Sequence, residues 1–450
     1  MKPIKKRILG AVAAIAAVSM MAACGGGGTE GTGDSTPGGG GEGQVYYLSF
    51  KPEQDAAWQD IAQQYTDETG IPVKIVTAAQ GTYEQTLKAE MAKSDAPTLF
   101  QINGPVGGEV WKDYAADLSG TDFYDALLDK TMAVEIDGSV IGVPYVVEGY
   151  GIIYNQAIMD EYFALDGAVV ASVDEINNFD TLKQVSDDMQ AKADDLGIKG
   201  VFASTSMKSG DAWRWDTHLA NLPIFYEYRD AGVTDMDVVE FSYGSNYQQI
   251  FDLYLTNSTI DPNLTPSKAV TDSMAEFALG EAAMVQNGNW AWGQVSEVAG
   301  NTVTEDNVKM MPIYMGVDGE EEQSIAVGTE NFFSINSQAS EADQQASIDF
   351  VNWLVSSDAG KAAMVNDLGF IPPFSTFSED EQPSDPLAKQ VVEYMGNDEL
   401  YNVAWNFTTF PSKNFKNSFA DALTQYATGQ MEWADVETIF VDEWAAEKAG

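Results

Sequence analysis

The 450-residue chain has one cysteine, one histidine and only 23 lysines and arginines against 69 acids. A single cysteine leaves no disulfide framework and no thiolate metal site, so stability must come from core burial rather than covalent staples. With one histidine and no free thiol, metal capture would need a nest of carboxylates. The shortage of cations gives a formal net charge of −46, which makes nucleic acid and anionic lipid headgroups poor partners. The acids are spread along the chain instead of collected in a tail, the pattern of a solvated surface that confers solubility. Nucleophile elbow, P-loop and paired-carboxylate signatures are missing, and no cofactor motif is found.

The start of the chain reads as an export signal. Lys2, Lys5, Lys6 and Arg7 precede an apolar run from Ile8 to Ala23, broken by Gly10 and Ser19, that is too short and too small-sided for a membrane span. Met21-Ala22-Ala23-Cys24 resembles a bacterial lipobox, with Met21 in place of the more usual Leu. On this reading residues 1–23 are a lipoprotein signal peptide and Cys24 is the lipidated mature N-terminus, which places the protein on the extracytoplasmic face of the cell membrane. An ordinary signal peptide with an incidental cysteine is the alternative. Removing the four leader cations takes the net charge from −46 to −50. Residues 24–43 are Gly, Thr, Ser, Pro and acids with nothing to bury, and form a flexible tether.

About 400 residues remain, enough for two domains or one large two-lobed unit. Val45 to Phe50 is an apolar strand, Trp58, Ile61, Ala62 and Tyr65 repeat at helical spacing up to Gly70, and Ile71 to Val76 is a β-branched strand. A second helix around Tyr83 to Met91 and the strand Thr98 to Ile102 complete a βαβαβ opening. This predicts a mostly parallel sheet with ligands at the carboxyl ends of its strands. Further strands are expected at 141–147, 151–154, 200–203, 282–286, 309–313 and 324–335, and helices at 156–165, 247–255, 343–356, 358–367, 417–427 and 433–448. Ten Trp and nineteen Tyr exceed what a core of this size needs, and Trp offers a flat apolar face with one donor, suited to stacking on sugars.

Several stretches together resemble the extracellular solute-binding proteins of carbohydrate ABC importers, the maltose-binding-protein-like family. They are Pro144-Tyr145-Val146-Val147-Glu148-Gly149-Tyr150-Gly151-Ile152-Ile153-Tyr154-Asn155, the segment Glu68 to Val73, the turn Gly280 to Trp292, and Asp349-Phe350-Val351-Asn352-Trp353-Leu354. The resemblance covers nearly all of residues 44 to 370, while the last 75 residues match only as an acidic helical tail. It implies a type II periplasmic-binding-protein-like α/β fold of two lobes, residues 44–150 with 332–370 and 151–331 with 371–450. The crossings would fall near Tyr150, Glu330 to Phe332 and Phe370 to Phe374, around an interlobe cleft that closes on its ligand. It further implies an oligosaccharide ligand, ABC permease subunits with their ATPase as partners, membrane contact through the lipid anchor alone, a monomer, and no catalysis.

A sugar presents hydroxyls, which need donors and acceptors, and apolar ring faces, which need an aromatic plane. Trp290 and Trp292 follow a strand and an Asn-Gly-Asn turn at a helix start. By the resemblance Trp290 stacks on a sugar ring, whereas Trp292 either joins it or packs under the turn. Glu148 interrupts an apolar strand, where an ionised carboxylate must find donors or face the cleft. The resemblance gives it sugar hydroxyls, and a hinge salt bridge is the other reading. Tyr150 shares its side of the strand.

Trp213-Arg214-Trp215-Asp216-Thr217-His218 is the densest polar and aromatic cluster. On a helix Trp213, Asp216 and Thr217 share one face, and Arg214 and His218 the neighbouring one. Trp213, Arg214 and Asp216 are the expected ligand contacts, with His218 beside them; the other reading is a capped helix with a core Trp and a satisfied His. Asn103 sits at the carboxyl end of a strand, as a ligand contact or a turn former. Glu330 lies at the second crossing, facing the cleft or bracing the hinge. A secreted glycosidase would need only two carboxylates at a set separation, and a peptide or other small-solute receptor would use the same architecture; both remain open from sequence.

Overall fold

The computed structural model describes residues 43–449 except Gln80 and Glu379. The leader, Cys24 and the tether up to residue 42 lie outside the described residues. Among the described residues twelve strands occur in the order β1 (Val45–Ser49), β2 (Val73–Thr77), β3 (Leu99–Ile102), β4 (Val134–Ile136), β5 (Ser139–Pro144), β6 (Glu148–Asn155), β7 (Gly200–Phe202), β8 (Ala282–Gly288), β9 (Val308–Met311), β10 (Gln323–Gly328), β11 (Phe332–Ile335) and β12 (Tyr401–Ala404). They form two sheets: β2-β1-β3-β11-β5-β4, and β12-β10-β6-β8-β7 with β9 also on β6. Each sheet is flanked by helices over its own apolar cores, which gives an α/β protein of two lobes.

Parallel pairing is confined to β2-β1-β3 in the first sheet and to β10-β12 and β7-β8 in the second. All other pairs are antiparallel. The sheets are therefore mixed, where the βαβαβ opening predicts mostly parallel ones. The cause is the crossings. A strand that enters a lobe through a crossing, such as β6 or β11, runs away from the junction, against neighbours that run toward it. So β1, β3 and β5 end at the junction and β11 starts there, while on the other side β8 and β10 end there and β6 starts there.

Three crossings are stitched side by side. The first occupies Tyr145–Val147, so β6 begins at Glu148, slightly ahead of the expected crossing near Tyr150. The second is Thr329–Asn331 between β10 and β11, which divides the single strand expected over 324–335 between two sheets. Continuous apolar patterning does not reveal a strand that changes sheet. Backbone hydrogen bonds from Tyr145 N–H to the Asn331 carbonyl at 3.2 Å and from Val147 N–H to the Ile371 carbonyl at 2.8 Å tie the first crossing to the second and third.

Helices follow their apolar spacing. Asp55–Thr69 buries Trp58, Ile61, Ala62 and Tyr65 and stops at Gly70, whose φ of 79° is a left-handed cap with its N–H on the Thr66 carbonyl. Helices at Phe179–Ala191, Asn221–Ala231, Val270–Ala278 and Pro386–Met395 had not been read from sequence. The C-terminal tail is a helix pair, Lys413–Ala427 and Trp433–Lys448. It buries Phe415, Phe419, Phe440 and Trp444 in the second lobe's core, where Phe440 stacks on Phe241 at 4.1 Å and Trp444 donates its indole N–H to the Met236 carbonyl at 3.0 Å. Trp444 has no solvent exposure. Trp444→Ala should therefore cost about 3–5 kcal/mol of unfolding free energy through the cavity it leaves. Urea denaturation checks this, and a loss below about 1 kcal/mol would show the tail to be an appendage.

Candidate functional site

The junction between the sheets is a cleft whose floor is ionic. Lys51, two residues past the end of β1, pairs with Glu148, the first residue of β6, at 2.7 Å. The second Glu148 oxygen accepts the Asn331 amide at 2.6 Å. Burial alone would lower the Lys51 pKa, but Glu148, Glu53 and Glu330 outweigh it and raise the value above the usual lysine range. Glu148 thus takes the salt-bridge role, with both oxygens engaged by protein. Removing either partner would leave the other charge buried and unpaired, a costly state.

One wall is aromatic, centred on Trp290. Its half-buried ring lies 6.0 Å from Trp213, 6.0 Å from Tyr150, 5.5 Å from His218 and 6.4 Å from Trp405, with the Lys51 ammonium 5.5 Å from its centroid. β8 delivers this ring by ending in Gly288: a Cβ there would stand 2.1 Å from the indole, so only glycine lets the ring fold back over the strand. Tyr150 is 1% exposed and supports the ring from behind, its hydroxyl on the Arg214 carbonyl at 3.3 Å and accepting the Gln286 amide at 3.1 Å.

Polar groups complete the cavity. Trp213 reaches it from the N-cap of Arg214–Leu219, and Asp216, Thr217 and His218 from within that segment, which is wound as a π-helix and shows the wide hydrogen bond from Ala220 N–H to the Trp215 carbonyl. Asp216 is 6% exposed, and burial pushes its carboxyl up to about 6 against the pull of Lys413 and Lys416. Burial, with Glu148 nearby, pushes Glu330 up to about 7. Glu330 can therefore donate as well as accept hydrogen bonds near neutral pH, whereas Asp216 is mostly ionised there and accepts. Burial lowers the His218 pKa to about 3, so its ring is neutral, with Nδ1 at 3.1 Å from the Thr217 hydroxyl. Asn103 lines the same cavity beyond β3, its Oδ1 against Gly107.

Of the residues named from sequence, the cavity brings together Asn103, Glu148, Trp213, Asp216, His218, Trp290 and Glu330. Arg214 is a correction. It is 1% exposed and turned into the second lobe, donating to the hydroxyls of Ser206 at 2.8 Å and Ser273 at 3.0 Å and to the Gln286 carbonyl. The reason is its partners: the two serine hydroxyls and the Gln286 carbonyl satisfy the buried guanidinium behind the cavity wall, and spacing within one segment does not show where they lie. Tyr150 lies behind the cavity wall, and Trp292 lines an adjoining groove.

Sequence reasoning missed Lys51, Tyr83, Gln101, Lys413 and Lys416, all of which line the cavity. The carboxyl-end rule that found Asn103 after β3 would also have found Lys51 after β1. Tyr83 anchors this edge, its hydroxyl accepting the Gln101 N–H at 2.7 Å. Lys413 and Lys416 carried one signal: two cations in the first turn of a helix, where the dipole disfavours them.

The bacterial extracellular solute-binding protein family matches residues 60–390. Among solved structures, a chitin oligosaccharide binding protein aligns with a TM-score of 0.69 at 17% identity, over 90% of this chain and 99% of its own. A solute-binding protein in complex with raffinose gives 0.68 at 18% identity over 90% and 99%. A maltose-bound protein of T. maritima gives 0.65 at 16% identity over 89% and 98%. Likeness at these identities speaks for the fold. A search of curated proteins gives no match.

The Asp216 environment sets a test with a defined sign. Its folded value of about 6 stands above the ordinary 3.8, so ionisation disfavours the folded state, and stability is lost as pH rises through that window. Asp216→Asn should raise stability by up to about 3 kcal/mol at pH 7.5 and leave it unchanged near pH 3.5, read by chemical denaturation at both. An equal effect at both pH values would show that burial does not strain this carboxyl.

Proposed function

The chain belongs to the bacterial extracellular solute-binding protein family, and from that premise we propose that it captures an oligosaccharide in the interlobe cleft and hands it, chemically unchanged, to the permease and ATPase subunits of an ABC importer. The Trp290 wall carries this reading. A half-buried indole face framed by Trp213, His218 and Trp405 offers a plane for a sugar ring. Around it Asp216, Thr217, Glu330, Lys413 and Lys416 supply donors and acceptors for hydroxyls. The sugars in the titles of the structural relatives, a chitin oligosaccharide, raffinose and maltose, favour the same ligand class.

The test is titration calorimetry with di- to hexasaccharides against di- to tetrapeptides, followed by recovery of the ligand. Sugar should bind and be recovered intact. Trp290→Ala should weaken binding by about 1–3 kcal/mol with little change in melting temperature. A melting loss of about 3–5 kcal/mol with normal affinity would make Trp290 a core residue, and turnover of the sugar would make the protein a glycosidase.

Export with lipidation at Cys24 belongs to the same reading, since a tethered receptor stays beside its permease. Cys24→Ala should release the protein from the membrane fraction into the medium with its ligand affinity intact. A variant that remains membrane-bound would overturn the anchor.

A further inference from the structure

A second groove adjoins the cleft. It shares Glu53, Glu148 and Trp290 with it but includes neither Trp213 nor His218. It runs between the start of the helix Asp55–Thr69 and the short helix Ala291–Ser296 toward the third crossing. Its aromatic element is Trp292, half-buried, with one part of its ring against the apolar cluster beneath the turn. Residues two apart on a helical turn point about 200° apart. Trp290 and Trp292 therefore face opposite sides of one turn, and that turn presents an indole to the cleft and an indole to the groove.

The groove repeats the cleft's chemistry. With Trp292 the groove is lined by the carboxylates of Asp60, Glu297 and Asp367 and the amide of Asn366, which suit hydroxyls. Lys389 is the one cation among its lining residues. We propose that the ligand is an oligosaccharide long enough to pass Trp290 and continue into this groove, where Trp292 stacks on a sugar outside the main cleft. The excess of carboxylates selects neutral or amine-bearing sugars at that end and repels uronates. This rests on the reading of the cleft as a sugar site and adds to it a chain length and a direction.

Calorimetry on the full mature chain would use neutral chito-, malto- and xylo-oligosaccharides of two to six sugars, with oligogalacturonates as the acidic series. In the series that binds, affinity should rise about tenfold between the disaccharide and the longer chains, an increment typical of one well-placed aromatic contact. Trp292→Ala should abolish that gain while keeping the disaccharide within about twofold, and the exposed Glu297→Lys, which does not touch the core, should weaken only the long chains. Oligogalacturonates should show no gain with length. Affinity that is flat with length, or a Glu297→Lys variant that treats short and long chains alike, overturns the extended site and leaves sugar capture standing. Failure of every sugar at every length would instead remove the capture reading, and the extended site with it.

Discussion

The buried ion pair between Lys51 and Glu148 sits where the two sheets, two of the crossings and the cleft floor meet. Lys51 follows β1 of the first sheet, Glu148 opens β6 of the second, and Asn331, which holds the other Glu148 oxygen, lies on the return crossing. Charges this deep are tolerated only when paired and hydrogen-bonded. The pair consequently fixes how β1, β6 and the β10-β11 connection approach one another. It also engages the carboxylate that opens β6, so the free polar groups lining the cleft come from Asp216, Glu330 and the lysines of the C-terminal helix.

The aromatic wall depends on a different constraint, space. Trp290 can cover the end of β8 only because Gly288 has no Cβ, and its neighbours come from separate parts of the chain: Tyr150 from β6, Trp213 and His218 from the π-helix and its N-cap, Trp405 from beyond β12. The Trp213 and Trp405 indoles are held by packing on the second lobe's core, whereas Tyr150 and His218 are also held by hydrogen bonds. Burial also sets the electrostatics, since desolvation raises the carboxyls of Asp216 and Glu330 and keeps His218 neutral. Lys413 and Lys416 pull both carboxyls down against that burial.

Much of this was legible in local pattern. The helix Asp55–Thr69 was readable because Trp58, Ile61, Ala62 and Tyr65 make one stripe and Gly70 stops it. That Trp290, Trp213 and Asn103 would line one cavity was readable from a strand end and from polar-aromatic clusters. Arg214 was misplaced because its partners Ser206, Ser273 and Gln286 come from other segments behind the wall, which spacing within one helix does not reveal. Lys413 and Lys416 were missed because they lie more than 350 residues from Lys51 in sequence and meet it only after the tail packs on the second lobe.

By itself the sequence determined what depends on neighbours in the chain: the periodic stripes, the caps, the acidic solvated surface, and the lack of disulfide and thiolate chemistry. The tertiary structure decided what depends on approach between distant segments. It set the sheet change at Thr329–Asn331, the mixed strand directions, the partner of Glu148 and the membership of the cleft. The reason is physical. A side chain's spacing fixes which face of its own element it occupies, but its charge state and partners are set by the desolvation and contacts of assembly, which no local pattern encodes.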